Sequence, residues 1–167
     1  MSGFRAGQRI KASDLNAIIP ATDYLLNDVS WTSTTTVTAT TLSLPVEAGL
    51  LYAVEAYLPY VAAHAGDLQV ALVGPAGATG HWGLTGLAPS ATDQWGDTAG
   101  TRAETLTTAS TLVAGGAAGI AAFTVLRGFA QIGPTAGRLT VWGAQGASSA
   151  TPSTLRAGAW LRLARIA

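Results

Sequence analysis

From residue 29 onward the chain alternates. Short runs place an apolar side chain at every second position, and each run closes on glycine, proline or small polar residues. Leu42, Leu44 and Val46 are separated by Ser43 and Pro45, and Leu68, Val70 and Leu72 repeat the pattern up to Gly74-Pro75. A period of two puts such residues on one face of a β-strand, whereas a helix would need spacings of three and four. Strands are expected over residues 31–41, 42–46, 50–61, 68–73, 81–87, 104–113, 120–132, 138–144 and 157–166. Pro59, inside the second longest of these runs, points to an edge or a bulge, because proline cannot donate to a ladder. Eight to ten short strands with turn signals between them indicate an all-β sandwich or barrel. Trp31, Trp82, Trp142 and Trp160 lie on these strand patterns and are expected in the core.

One periodicity competes with this reading. Gly74, Gly77, Gly80, Gly83 and Gly86 fall at every third residue, as in collagen. A triple helix needs many proline-rich triplets, and only Pro75 supplies one here. A turn followed by a small-residue strand accounts for the spacing.

Residues 1–28 differ from the rest. Arg5, Arg9 and Lys11 come with no acid before Asp14. Ser13 and Asp14 can cap a short helix through Leu15, Ala17, Ile18 and Ile19, which Pro20 helps to end. We read an anchoring arm over residues 1–28 ahead of a sandwich domain over 29–167, the alternative being a terminus that packs back on its own sandwich. Residues 1–18 lack an apolar core of signal-peptide length, and no run of eighteen apolar residues occurs in the chain. Export by that route and a membrane span are therefore not expected.

Charge narrows the function classes. Only 11% of the 167 residues are charged, and there is no cysteine. That is under half the share usual in soluble domains, which suggests a surface covered by neighbours. Eight of the nine basic residues are arginine, which holds bidentate protein contacts better than lysine does. They are too sparse for nucleic acid, which wants a dense basic face. The two histidines, His64 and His81, have no partner at metal-ligand spacing. No nucleophile elbow, phosphate loop or zinc-protease motif occurs. No enzyme activity, cofactor or metal is expected. The one place where chemistry could gather is a polar loop holding Asp93, Trp95 and Asp97. An aromatic ring among carboxylates suits a sugar, although a Trp95 that plugs the loop onto the sandwich is the commoner arrangement.

Particular residues carry a family likeness. The opening Phe4-x-Ala6-Gly7-Gln8-x-Ile10-x-Ala12-x-Asp14-Leu15-Asn16 is similar to the F-x-A-G-Q-x-L-x-A-x-x-L-N start of many tail-fibre and other virion proteins of actinobacterial phages. The body resembles short structural proteins of the same phages in Leu51-Tyr52, the Pro75-Ala76-Gly77-Ala78 turn and Trp82. Further on come Ala136-Gly137-Arg138-Leu139, Trp142-Gly143-Ala144-Gln145 and Ala157-Gly158-Ala159-Trp160-Leu161. Gly143 interrupts the family's contiguous W-A-Q, and Ala159 stands where a serine is usual. The resemblance implies a jelly-roll-like β-sandwich on the phage particle surface, forming a homotrimer after synthesis in the bacterial host cytoplasm. In a capsid decoration protein, Phe4, Arg5, Arg9, Ile10, Lys11 and Leu15 would anchor to the major capsid protein. In a minor tail or tail-fibre protein, the arm would dock on a tail protein and the sandwich would read a receptor or glycan. Arm passes to sandwich without a shaft, which favours decoration.

Overall fold

Two eleven-residue strands set the frame. β4 (Leu51–Val61) buries Tyr52, Val54, Ala56, Leu58 and Tyr60 and leaves each odd-numbered residue half-exposed. β8 (Ala121–Gln131) pairs with it antiparallel along its whole length, from Leu51 opposite Gln131 to Val61 opposite Ala121. The computed structural model of the protein describes residues 19–88, 105–106, 110–116 and 120–166. Within them the chain forms nine more strands: β1 (Ala21–Tyr24), β2 (Val29–Trp31), β3 (Thr38–Val46), β5 (Leu68–Val73), β6 (Thr79–Thr85), β7 (Leu112–Ala114), β9 (Gly137–Ala144), β10 (Ser153–Leu155) and β11 (Trp160–Arg165).

A large sheet runs β6-β8-β4, after which β11 and β10 share the free edge of β4, and β1 and β2 flank them outside. A smaller sheet runs β3-β9-β5-β7. All pairings are antiparallel. Let β1 and β2 count as one interrupted strand, β10 and β11 as another, and set β6 aside. The first of the eight remaining strands then pairs with the last, the second with the seventh, the third with the sixth and the fourth with the fifth. That nesting is a jelly roll. One continuous core fills it, with Leu126, Leu58, Leu72, Leu139 and Leu161 fully buried between the sheets. Each such side chain contributes on the order of 1.5–3 kcal/mol through burial.

Several sequence expectations change in detail. Residues 21–24, assigned to the arm, form β1 on the edge of the large sheet, with Ala21 opposite Leu163 and Tyr24 opposite Trp160. The sandwich therefore starts ahead of residue 29. The short helix expected before Pro20 falls, but for Ile19, outside the described residues. Pro59 lies in the middle of the large sheet, not on an edge. Its carbonyl accepts from the Arg156 N–H, so its ring nitrogen faces the interruption between β10 and β11, where no ladder partner is needed. The run over 104–113 yields a described strand only at its end, in β7.

Turn chemistry follows the residues. The Ala78 N–H donates to the Pro75 carbonyl, and Gly77 sits at φ +78°, the positive value that the third residue of a type II turn requires. This turn, not a collagen repeat, begins the glycine series and carries the chain from the small sheet to the large one. Gly143 is also explained. It faces the core under the buried Trp31 ring, and a Cβ there would lie 2.4 Å from that ring.

Candidate functional site: an aromatic sheet face

Because side chains alternate across a strand, the half-exposed residues of β4 and their partners form the outer face of the large sheet. Register fixes who stands beside whom. Tyr24, Trp160, Tyr57 and Val125 follow one another across four strands, with Thr85 beyond them. Phe123 lies one step along β8, opposite Pro59. The rings of Tyr57 and Trp160 lie 6.4 Å apart at 23°, and those of Tyr57 and Phe123 lie 5.4 Å apart at 31°. These three rings thus form a contiguous band rather than scattered side chains, with Trp160 stacked on Tyr57 and Phe123 tilted against it. The next row along is charged: Arg162, Glu55 and Arg127 stand opposite one another on β11, β4 and β8. Arg127 Nε donates to Glu55 Oε1 at 3.1 Å. Beyond it, Ala164 and Ala53 leave a shallow open depression of about 400 Å³ whose rim is Glu55, Arg127 and Arg162. Phe129 stands next in register, with the His81 ring edge-on to it at 5.7 Å.

The asymmetry between the two sheets is pronounced. Among the described residues the exposed large hydrophobic side chains are Ile19, Tyr24, Leu26, Ile120, Phe123, Phe129 and Ile166. Every one lies on a strand of the large sheet or in the few residues beside one. Tyr24 is 58% exposed and Phe123 55%. Scattered apolar residues on a surface need no explanation, but a contiguous band on one face does. Trp142 and Trp160, expected in the core, are half-buried on outward faces; only Trp31 and Trp82 are core. The strands carry a signal for this. Trp160 has the parity of Arg162, Tyr57 that of Glu55, and Phe123 and Phe129 that of Arg127. A charge two or four residues away marks the outer face.

Inside, the polar groups serve the fold. The Tyr60 hydroxyl donates to the Gly115 carbonyl at 2.6 Å, and Asp67 Oδ1 accepts the Gly116 N–H at 2.6 Å. Burial, and secondarily the charge of Asp67, push the Tyr60 hydroxyl well above its ordinary ionisation range, so it stays protonated. Gln145, fully buried at the end of β9, accepts from the Thr34 and Ser149 N–H groups and donates to the Thr151 carbonyl. Among the described residues no buried side-chain polar atom lacks a partner, and no group of three or more His, Asp or Glu is placed to hold a metal.

Phe4, Arg5, Arg9, Ile10, Lys11 and Leu15 lie outside the described residues, as do Asp93, Trp95 and Asp97. The aromatic face is therefore a site that the sequence reading missed. No family model, curated protein or solved structure matches this chain.

Proposed function

We propose that this chain is a non-enzymatic structural protein of a phage particle, a capsid decoration protein that binds the shell through residues 1–28 and forms a homotrimer through its β-sandwich. One observation carries the assembly part: a jelly roll in which, among the described residues, every exposed large apolar side chain lies on a strand of the large sheet or in the few residues beside one. Low overall charge supports the same reading, since a surface shared with neighbours needs less of it. The virion setting rests on the family resemblance of residues 4–16 and of the later body motifs. Once the sandwiches associate, three weak arms gain avidity with no new contact. Deleting residues 1–19 removes the basic and apolar anchors while sparing β1, so the truncated protein should fold and associate yet no longer bind shells. Shell binding that persists after the deletion refutes the anchoring role.

A second reading has an observation of its own. A contiguous band of rings beside a charged depression is also how a tail protein would hold a glycan, with rings under the sugar and Arg and Glu at its hydroxyls. Labelled microscopy of intact particles separates the two: signal on heads supports decoration, and signal on tails supports the glycan-binding reading.

A further inference from the structure

We infer that the outer face of the large sheet is the surface on which a second copy of this chain docks, with Tyr24, Tyr57, Phe123 and Trp160 at its centre. The inference rests on the assembly reading above and says where the contact lies. Size is the first argument. Five strand positions at about 4.8 Å spacing, and the eleven residues of β4 and β8 at about 3.3 Å each, bound the face at roughly 24 by 36 Å, or at most about 850 Å². A standard interface takes about 800 Å² from each partner, so the face as a whole matches one such contact, and a ring of three divides it between two neighbours.

Composition is the second argument. The interior of such contacts is rich in Tyr, Trp and Phe and poor in charge, with arginine the favoured charged residue. Here the band has four aromatic side chains and Val125 in adjoining positions. One charged row, Arg162-Glu55-Arg127, crosses this face, in which Glu55 already has Arg127 as a partner, and Arg156, beside Pro59, is paired with Asp28 at 3.0 Å.

The third argument concerns closure. A ring of three copies requires two patches on each copy, one for each neighbour. The face offers apolar groups at both margins. Ile19, Tyr24 and Leu26 lie along the β1 edge, and Ile120, Phe123 and Phe129 lie along β8. At the far edge, β6 turns only Thr79, His81, Gly83 and Thr85 outward, which leaves the β8 margin open to an approaching neighbour.

The test is the oligomeric state of the full chain by light scattering from about 1 to 100 µM, with far-UV circular dichroism and thermal unfolding to confirm that each variant is folded. Phe123→Glu and Tyr57→Ala should each weaken association about thirtyfold or more, the size of a hot-spot loss. Ala39→Glu, exposed on the outer face of the small sheet, should leave association unchanged. A second measurement works where a charged variant fails to fold. The chain has no cysteine, so Val125→Cys and Ala39→Cys each provide a single thiol. Maleimide should label the Val125→Cys thiol at least about tenfold more slowly than the Ala39→Cys thiol in the associated protein. An oligomer that survives both face variants, or equal labelling at the two positions, overturns the inference and leaves the assembly reading standing. A wild-type chain that stays monomeric at 100 µM overturns both. So does a monomer whose tryptophan fluorescence shifts on addition of host-wall polysaccharide, which would give the face to a glycan.

Discussion

Gly143→Ala should destabilise the fold although it adds a single methyl group. Replacing glycine in a strand would ordinarily stabilise by about 0.5–1 kcal/mol, because glycine has the most backbone freedom to lose. Here the new Cβ would stand 2.4, 2.7 and 3.0 Å from Cη2, Cζ2 and Cζ3 of Trp31. Comfortable carbon–carbon contact is about 3.5–4.0 Å, so the nearest overlap exceeds 1 Å. The ring has little room to retreat. It is 5% exposed, and its Nε1–H is held by Thr38 Oγ1 at 2.8 Å. Overpacking of this kind costs about 1–3 kcal/mol, and the pinned ring argues for the upper part of that range. For a domain of this size about 2–3 kcal/mol lowers Tm by roughly 5–10 °C, readable by circular dichroism or scanning fluorimetry. Trp31→Phe removes the benzo carbons that the methyl group meets. The double variant should therefore be at least about 1 kcal/mol more stable than additivity allows. A Gly143→Ala protein that melts within about 1 °C of wild type, or strict additivity in the double variant, would sink the steric account.

Two further expectations test the chemistry around β4. Tyr60 is protonated in the folded state and its pKa is raised there, while the unfolded side chain ionises near pH 10. The unfolded state therefore loses its proton first, and this contribution, complete below about pH 10, is lost as pH rises further. Denaturant titrations from about pH 9 to 11.5 should show a steeper fall for wild type than for Tyr60→Phe. Equal slopes would remove Tyr60 as the cause. Glu55→Gln should shift stability by no more than about 0.5 kcal/mol, since its ion pair is with an Arg127 side chain that is 76% exposed. A loss above about 2 kcal/mol in chemical denaturation would mean that the charged row holds the sheet together.

Alternation made most of the fold legible. Leu42, Leu44 and Val46, and Leu68, Val70 and Leu72, are all buried as their spacing requires. β1 was not legible, because Ala21-Thr22-Asp23-Tyr24 has no apolar alternation. It is a strand because its backbone pairs with β11, and because Asp23 Oδ2 accepts the Ser43 N–H of the small sheet. Pro59 misled for a related reason: the property that places proline at edges is a missing donor, and an interruption in the neighbouring strand satisfies it equally well. The aromatic face was hidden by an assumption about tryptophan. Size alone argues for burial, but the parity of Arg162, Glu55 and Arg127 argues the opposite for Trp160, Tyr57 and Phe123.

The nested pairing has a consequence for how the chain is made. Among the described strands no two that follow one another in sequence pair with each other; the shortest links join β5 to β7 and β6 to β8. No β-hairpin between the described strands can therefore nucleate early, and such non-local topologies fold slowly, in milliseconds to seconds or longer. Tyr24 waits for Trp160, about 140 positions downstream. At a synthesis rate of about 5–20 residues per second, that is roughly seven to thirty seconds on the ribosome. The aromatic face, which needs both β1 and β11, is thus completed only after β11 has been made. If this face joins copies as inferred above, nascent chains on one messenger cannot stick to each other through it before β11 has emerged and paired.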